Sequence, residues 1–505
     1  MIYFYNMKIY LSLMIKNNKF IRSTALLCVV LLSQNFAFSQ TKTATLAIND
    51  QVTYQKITGF GAFVNSPQFA YGAMSEAEIR TVWGAASETN CNIMRIYIPT
   101  GSTTNPESSW SQALSTVQLA KSMGLTVFAS PWTMPAAWKT NNSTTMGSLN
   151  TANYGDYADY LNRFVTYMRN NGADIDAISI QNEPDANVTY QSCTWTPAQI
   201  TTFLQEYRSA IDCKIVAPEA MNIGNTSYLN AMAADDVVDQ YDIYAGHQYG
   251  WNGSATSLAP IVNKGKEIWM TEYLLNWAPN GTTLANVAPF NWTIQAFDFA
   301  KAINDGLLAG ENAWIHYSAK RYYGLIGDGY GGTTSGAITK RGYVLAQYAK
   351  YVTGATRIDN TWSDNSNTLY GSSYLSATGD SIMAVVINPS GSSYTLTVNL
   401  PFSVTTGTSI ETTATANLAE AAINIDGETG SPQVAIDAYS VTTLIFSKST
   451  TSIKQIKNMA TVLSEEYYTL MGQKVLPEKN NLKGIYIVKS HLSDGSVSSR
   501  KIYFK

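Results

Sequence analysis

Eight short apolar runs alternate with helical segments through the middle of the chain, and this alternation limits the possible folds more than any other feature. Parallel strands need a long crossover, usually a helix, so repeated strand–helix units predict βαβ folding. Eight units over roughly 300 residues match a (β/α)8 barrel in number and size. The predicted strands are Lys56–Val64, Asn92–Pro99, Leu125–Ser130, Ala177–Asn182, Lys214–Pro218, Asp242–Gln248, Glu267–Glu272 and Ala313–Ser318.

A doubly wound open sheet is the alternative arrangement of the same units. Such a sheet usually carries a glycine-rich phosphate loop between its first strand and a helix. Here the first strand contains Gly59-Phe60-Gly61-Ala62-Phe63, and no helix start follows it. The sequence therefore favours the α/β barrel, which we place at residues 56–354.

Residues 355–447 have a different pattern, with short β-rich runs between Gly, Ser, Asn and Pro turns. This pattern is typical of an antiparallel β-sandwich, and the stretch from Ile358 to Ser447 contains no Lys or Arg. The segment Ala44–Tyr54, within residues 40–55, is strand-like and precedes the barrel. We expect it to cross over and pair with this side domain.

The first 39 residues predict a secretory signal peptide. Basic residues come first, then the apolar run Ala25–Leu32, then the small-residue cleavage pattern Ala37-Phe38-Ser39, which is the order of such a signal. The apolar run is short for the ~20 residues of a membrane span. We therefore expect a secreted chain without a membrane span.

The C-terminal residues 448–505 differ in charge from the side domain before them. From Thr451 to Lys505 there are nine Lys or Arg against four Asp or Glu. Apolar positions alternate here with turn residues, which predicts a small β domain. The boundary lies near Lys448–Ile453, and the stretch is a linker followed by a separate domain.

The overall charge and histidine content limit the class of ligand. The net charge is -3 and charged residues make up 14% of the chain, which argues against nucleic acid as a partner because such proteins usually carry a basic face. The chain has three His residues, and no His/Cys/Asp cluster has ligand spacing. We expect no metal, no cofactor and a monomer that meets a neutral polar ligand.

Two glutamates follow apolar strand residues at the end of the barrel where reactive side chains are usually found. Reactive side chains lie at the C-terminal ends of barrel strands, and Glu183 and Glu272 close the fourth and seventh predicted strands. Hydrolysis of a glycosidic bond needs one acid to protonate the leaving oxygen and one carboxylate to attack or to activate water. The pair predicts a polysaccharide-cleaving enzyme, and the separation of the carboxyl groups would distinguish retention from inversion.

Other side chains at the strand ends are candidates for supporting roles. Glu219 closes the fifth strand, and we expect it to be structural or to support the other carboxylates. His247 closes the sixth and could bind a metal, although its sequence surroundings do not favour one. Three aromatic residues are either core residues or stack on sugar rings: Trp132, Trp138 and Tyr249. Together with Tyr97, they are assigned to substrate binding.

At these motifs the chain resembles glycoside hydrolase family 30, over about residues 44–447, and within it the bacterial xylanase branch that includes glucuronoxylanases. The matching segments are Gly59-Phe60-Gly61, Met94-Arg95-Ile96, Ser130-Pro131-Trp132, Gln181-Asn182-Glu183-Pro184, Trp269-Met270-Thr271-Glu272 and Lys340-Arg341-Gly342-Tyr343. The resemblance implies a retaining enzyme that acts on xylan by double displacement.

The resemblance also implies roles for individual residues. Glu183 would be the general acid/base, kept protonated with help from the negative charge of Glu272, the nucleophile. Asn182 would bond the sugar 2-hydroxyl, while Arg321 and Tyr323 would grip a glucuronate carboxylate. The chain departs from the glucuronoxylanase pattern because no Ser follows soon after the nucleophile and a Gly-rich stretch lengthens the loop after strand eight.

The sequence therefore predicts a secreted retaining endo-β-1,4-xylanase, with glucuronoxylan as the expected substrate. Another activity of the family, such as endo-β-1,6-glucanase or galactanase, is one alternative, and a non-catalytic surface polysaccharide-binding protein is another. The C-terminal domain resembles the sorting domain of the type IX secretion system. This resemblance implies the secretion machinery as a partner, and release or attachment at the cell surface after export through the periplasm.

Overall fold

The computed structural model of the 505-residue chain describes residues 41–65, 73–363, 368–425, 430–448, 462–476, 483–492 and 497–504. The chain divides into two units, residues 1–448 and residues 449–505. The predicted signal peptide, residues 1–39, lies outside the described residues. Within those residues, no helix combines the length and apolar character needed to cross a bilayer.

Eight parallel strands close into a barrel in the first unit, so the predicted barrel is confirmed. Closure is made where the first and last strands pair in parallel, Gly59 opposite Ala313. The barrel strands are β2 (Gly59–Phe63), β3 (Ile93–Ile98), β4 (Thr126–Pro131), β5 (Ala177–Ser179), β6 (Lys214–Ala220), β7 (Ile243–His247), β8 (Glu267–Tyr273) and β9 (Ala313–His316), and β1 (Lys42–Lys56) precedes them.

Helices connect the strands and surround the barrel, as the alternating pattern predicts. They are α1 (Glu76–Val82), α2 (Glu107–Trp110), α3 (Leu114–Ser122), α4 (Tyr154–Asn170), α5 (Pro197–Tyr207), α6 (Thr226–Met232), α7 (Ala259–Val262), α8 (Phe297–Ala309) and α9 (Lys340–Ala349).

Two helix starts follow from their sequences. Ser75 accepts a hydrogen bond from the Glu78 backbone N–H (3.3 Å), and Glu78 accepts one back from the Ser75 N–H (2.9 Å), which is a capping box. Thr196 caps α5 in the same way, with a proline at the first helical position. Helix α1 stops at Val82, and the chain turns shortly afterwards at Gly84, which has a φ of +92°.

Apolar side chains from alternate strand positions fill the barrel interior. Alternation places every second residue inside, and the filled interior makes the barrel a packed core rather than a pore. Polar side chains at the C-terminal strand ends therefore lie above a buried apolar layer. This layer consists of Ile93, Phe128, Ala177, Val216, Ile243, Ala245, Trp269, Ala313 and Ile315.

The side domain is a nine-stranded sheet with its own buried core, ordered β15-β14-β17-β12-β11-β10-β1-β13-β16. As expected for Ala44–Tyr54, β1 joins this sheet, antiparallel to β10 and parallel to β13. The other strand pairs of the sheet are antiparallel. Its later strands are β10 (Thr356–Trp362), β11 (Tyr370–Leu375), β12 (Ser381–Asn388), β13 (Tyr394–Asn399), β14 (Val404–Thr412), β15 (Ala419–Ala422), β16 (Gln433–Ile436) and β17 (Ser440–Lys448).

Buried hydrogen bonds attach the side domain to α9 of the barrel. Gln347 donates from Nε2 to the Thr412 hydroxyl (2.8 Å), and the Thr443 hydroxyl donates to the Gln347 backbone carbonyl (2.8 Å). All three side chains are buried, and buried polar groups are costly unless they are paired. These bonds fix α9, and with it the loop that precedes the helix.

The second unit contains a four-stranded antiparallel sheet with the order β19-β18-β20-β21. Its strands are β18 (Val462–Thr469), β19 (Lys474–Val475), β20 (Gly484–Leu492) and β21 (Val497–Phe504). A small β domain at the C-terminus agrees with the alternation of apolar and turn residues in the sequence.

Candidate active site

Two glutamates on opposite sides of the barrel meet at its C-terminal end. Glu183 follows β5, Glu272 lies in β8, and only 4% and 7% of their surfaces are exposed. Glu183 has a φ of +48°, and Glu219, on β6, has a φ of +59°. Positive φ is uncommon for residues other than glycine and concentrates at functional sites. Two residues of this carboxylate cluster, Glu183 and Glu219, thus have a strained backbone conformation.

Arg95, on β3, connects the carboxylates. Its Nη1 donates to Glu272 Oε2 (2.5 Å), while Nη2 donates to Asn182 Oδ1 (2.6 Å) and to Glu219 Oε1 (2.9 Å). Burial would lower the pKa of Arg95, but the negative charges of Glu219 and Glu272 raise it. The guanidinium is therefore a fixed cation that orients Glu272 and Asn182.

Glu219 supports this arrangement from below, as the sequence suggested. The Ser130 hydroxyl lies 3.0 Å from both oxygens of Glu219, and Arg95 Nε donates to Ser130 (3.2 Å). Burial raises the pKa of Glu219, but the charge of Arg95 and the nearby His247 bring it below its usual value. Glu219 is fully buried, so it positions Arg95 rather than meeting substrate.

Glu183 accepts hydrogen bonds from two side chains on other segments. His247 donates from Nδ1 to Oε1 (3.0 Å), and the hydroxyl of Tyr190 donates to Oε2 (2.8 Å). His247 is fully buried, and its Nε2 lies 3.7 Å from Glu219, beyond hydrogen-bonding distance. Although burial opposes its positive charge, the charge of Glu272 and the contacts with Glu183 and Glu219 raise the pKa of His247 to about 9.

This environment corrects the expectation that Glu183 is held protonated by its partner. Burial raises the pKa of Glu183, but the hydrogen bond and positive charge of His247, followed by Tyr190 and Arg95, lower it below the ordinary value. In the unliganded protein at neutral pH the proton of the His247–Glu183 pair therefore resides on His247. The sequence prediction considered only the charge of Glu272 and overlooked the cation supplied by β7.

Glu272 is held by a hydrogen bond to each oxygen. Arg95 binds Oε2, and the Tyr249 hydroxyl donates to Oε1 (2.9 Å). One oxygen of Glu272, one oxygen of Glu183 and one ring nitrogen of His247 all lie within 4.8 Å of one another. Such a set could offer ligands to a metal ion only if His247 lost its proton, and the positive charge of Arg95 beside the set opposes a further cation.

The structure brings some of the predicted aromatic residues to this site. Tyr249 touches Glu272, and Trp132 lies under the Arg95 guanidinium, 4.9 Å from the ring centroid. Tyr97 packs edge-on against Trp132 (5.2 Å between centroids) and donates its hydroxyl to Gln191. Trp138 instead packs edge-on against Tyr160 of α4, 5.6 Å away, in the layer of helices. A sugar-stacking role for Trp138 stays a prediction.

Arg321 and Tyr323 lie in the loop after β9 in different surroundings. Arg321 Nη1 forms an ion pair with Asp328 Oδ2 (3.3 Å), whose carboxylate is only 9% exposed as a side chain. Asp328 belongs to the Gly-rich stretch that departs from the glucuronoxylanase pattern. Tyr323 is buried, and its backbone carbonyl accepts a hydrogen bond from His316 (2.8 Å). The carboxylate of Asp328 thus lies beside Arg321, in the position where the resemblance places the glucuronate carboxylate of the substrate.

Sequence reasoning missed Tyr190 and Ser130 as contacts of the carboxylates. Tyr190 lies in the long loop between β5 and α5, and 48% of its surface is exposed, so no periodicity singled it out. The proximity of Tyr190 to Glu183 in the sequence, seven residues apart, was the only available signal. Ser130 ends a strand beside Arg95 but joins Glu219 only through the closed barrel.

Comparison with known proteins identifies the family. The model described as "Glycosyl hydrolase family 30 TIM-barrel domain" matches residues 106–229. Glucuronoxylanase XynC of Bacillus subtilis (strain 168) is 32% identical over 355 residues, which cover 68% of this chain and 78% of that protein. The chain belongs to glycoside hydrolase family 30. It is therefore a glycoside hydrolase, as the sequence predicts.

Two other known proteins indicate the range of similarity. The crystal structure of the subfamily 8 xylanase Xyn30A from Clostridium acetobutylicum has a TM-score of 0.69 and 31% identity, covering 80% of this chain and 99% of that one. Endo-1,6-beta-D-glucanase BGN16.3 of Trichoderma harzianum is 25% identical over 302 residues, covering 53% of this chain and 56% of that protein.

Proposed function

We propose that this family 30 enzyme is a retaining endo-β-1,4-xylanase in which Glu183 is the general acid/base and Glu272 is the nucleophile. The observation that carries the proposal is the approach of their carboxylate oxygens to within 4.8 Å. Retaining enzymes hold the two carboxyl groups about 5–5.5 Å apart, whereas inverting enzymes hold them about 6.5–9.5 Å apart to admit water. The spacing favours direct attack by a carboxylate.

The reaction then proceeds in two displacements. A Glu272 oxygen bonds to the anomeric carbon as the glycosidic bond breaks, and Glu183 gives its proton to the departing oxygen. In the second step water attacks the same carbon, Glu183 takes a proton from that water, and Glu272 leaves as a carboxylate. Arg95 and Tyr249 bind the two Glu272 oxygens, so the attacking carboxylate is already oriented.

His247 provides the proton that Glu183 needs in the first step. The hydrogen bond of 3.0 Å between His247 and Glu183 allows the pair to share one proton. When a sugar covers the site and excludes water, the effect of burial on Glu183, which raises its pKa, grows stronger. The proton then shifts from His247 to Glu183, where it faces the leaving group.

Similarity to a glucuronoxylanase and to a subfamily 8 xylanase supports xylan as the substrate. The ion pair between Arg321 and Asp328 affects whether the enzyme needs a glucuronate substituent on that xylan. A glucuronate bound by Arg321 would have to replace Asp328, so we expect no requirement for glucuronate at this position. Glucuronate is a permitted substituent under this proposal.

An endo-β-1,6-glucanase is the second candidate, favoured by the 25% identity to the Trichoderma harzianum enzyme. Purified protein should be incubated with glucuronoxylan, arabinoxylan and β-1,6-glucan, and the products sized. The proposal expects oligosaccharides from both xylans. Products from β-1,6-glucan alone would select the second candidate, and no product from any polymer would leave only a binding role.

We also propose that the protein is secreted, with residues 1–39 as its signal peptide and residues 449–505 as a type IX sorting domain. The four-stranded β unit and its excess of basic residues support this assignment. In the native host, deletion of residues 449–505 should leave active enzyme in the periplasm. Unchanged export of the deletion variant would reject the sorting role.

A further inference from the structure

A cleft lies between the barrel and the side domain, at the opposite end of the barrel from Glu183 and Glu272. Its volume is about 900 Å³, within the range of ligand sites. Glu267 lines this cleft and opens β8, whereas Glu272 lies further along the same strand, so roughly 16 Å of strand separates the two places. The lining, called here the Tyr54 cleft, includes Tyr54, Gln55, Lys266, Glu267, Arg357 and Asn360.

The second half of β1 loses the alternation that buries its first half. Ala44, Leu46 and Ile48 are buried, whereas residues 51–54 are all exposed. The pairing of β1 with β10 changes register on both sides of Thr53, and such bulges change the direction in which side chains point. Tyr54 therefore lines the cleft, with 45% of its surface exposed, instead of packing in the core of the side domain.

Two contacts hold the ring of Tyr54 in place. The buried guanidinium of Arg357 lies 3.7 Å from the ring centroid, and the Tyr54 hydroxyl donates to Asp359 Oδ1 (3.2 Å). Arg357 is fixed in turn, because its Nε donates to Gln55 Oε1 (3.0 Å). The ring thus offers an exposed apolar surface in a fixed orientation, so a ligand that packs on it pays little for ordering the side chain.

The charged groups of the cleft occur with both signs and are engaged by the protein. Lys266 donates to the Tyr241 backbone carbonyl (2.8 Å) and lies 5.0 Å from the Tyr241 ring centroid, while Arg357 is covered by an aromatic ring. Glu267 and Asp359 line the same cleft. Because neither sign prevails, the lining suits a neutral ligand that is rich in hydroxyl groups.

We infer that the Tyr54 cleft is a second, non-catalytic binding site for a neutral polysaccharide chain. The ring of Tyr54 packs on the apolar face of a sugar, and the side-chain amide of Asn360 offers both a donor and an acceptor to hydroxyl groups. The inference rests on the proposed glycanase function, which supplies the polymer. A chain bound here leaves the active site open, so it keeps the enzyme on a solid substrate and raises the local concentration of bonds to be cleaved.

Binding to insoluble xylan should be measured with the Glu272→Gln variant of the full chain, so that hydrolysis does not consume the polymer. In this background Tyr54→Ala should weaken binding by roughly three- to tenfold, the value of one aromatic contact. Tyr54→Phe should bind normally, because it keeps the ring. Tyr503→Ala is the matched control, since Tyr503 is an exposed tyrosine of the second unit. Unchanged binding by Tyr54→Ala, or an equal loss in Tyr503→Ala, would overturn the inference.

Activity on a small substrate separates the cleft from the active site. With Glu272 restored, Tyr54→Ala should hydrolyse an aryl xylobioside with unchanged kcat/KM and insoluble xylan more slowly at low polymer concentration. Tyr54→Leu keeps an apolar cover over Arg357 but has no flat ring, so it should behave as Tyr54→Ala does even if alanine disturbs β1. An equal decrease on both substrates in both variants would show damage to the active site and would contradict a separate binding site.

Ionic strength tests the class of ligand. A neutral chain should stay bound in about 1 M NaCl, where charge attraction is screened within about 3 Å. Loss of the Tyr54-dependent binding in that salt would show that the cleft attracts charge, against the inference. The two proposals fail separately: a wild type that hydrolyses no xylan refutes the proposed function, whereas a wild type that hydrolyses xylan but binds it independently of Tyr54 refutes only the second site.

Discussion

Removal of the Tyr249 hydroxyl should slow the second displacement more than the first. The hydroxyl donates to Glu272 Oε1 (2.9 Å), and this bond is strong while Glu272 carries a full negative charge. In the covalent intermediate the same oxygens belong to an ester, which is a weaker acceptor. The hydrogen bond is therefore regained as the ester breaks, and only interactions that strengthen toward the transition state accelerate a step.

The expected magnitude follows from the charge of the acceptor. A hydrogen bond to a charged group contributes about 1.5–3 kcal/mol, and each ~1.4 kcal/mol corresponds to a factor of ten in rate. Tyr249→Phe should thus reduce the rate of deglycosylation by roughly 10- to 150-fold. Phenylalanine preserves the ring contacts with His247 and Tyr273, so the fold should be unaffected.

The assay is rapid-quench kinetics on an aryl xylobioside, combined with the intact mass of the protein. Tyr249→Phe should show a burst of aryl alcohol and an accumulated glycosyl-enzyme. Tyr190→Phe is the matched control, because it removes a hydroxyl from Glu183 instead and should not produce a larger burst. Wild-type turnover in Tyr249→Phe, with no accumulated intermediate, would refute the reasoning.

Three further changes test the electrostatics. His247→Gln removes the group that holds the shared proton of the pair up to a pKa of about 9, so Glu183 alone loses its proton at lower pH and the alkaline limb of kcat/KM should move downward; an unmoved limb would contradict this. Burial raises the pKa of Glu311 well above its usual value and leaves Oε2 without a partner. The contribution of Glu311 to the free energy of unfolding is therefore fully present below the pKa that Glu311 has in the unfolded chain. It is lost as the pH rises from that value toward the higher pKa of the folded protein. Glu311→Gln should raise the free energy of unfolding in urea by about 1–3 kcal/mol at pH 7 but not at pH 4, and an equal effect at both values would count against it. Asp328→Asn releases the guanidinium of Arg321 and should raise kcat/KM on glucuronoxylan relative to arabinoxylan, whereas an unchanged ratio would show that the ion pair does not affect specificity.

The barrel and its two carboxylates were predictable because they depend on local patterns. Each apolar run is short and bounded by a helix, so the strands followed directly, and the closed barrel placed Glu183 and Glu272 at one end. The same reasoning suggested the supporting position of Glu219. These conclusions need only the order of elements along the chain.

The protonation state of Glu183 was not predictable because it depends on a residue from another strand. His247 reaches Glu183 only in the closed barrel, and its charge outweighs the burial of the carboxylate. Asp328 is a similar case, since its ion pair with Arg321 requires the conformation of a Gly-rich loop.

The stereochemistry of the first product tests the central claim most directly. Proton NMR of a xylo-oligosaccharide digest, recorded within the first minutes, shows which anomer appears before mutarotation. Attack by Glu272 followed by water predicts the β-anomer first, and azide should restore activity to Glu272→Ala. The α-anomer as the first product would show that water attacks directly, and the assignment of Glu272 as nucleophile would then be wrong.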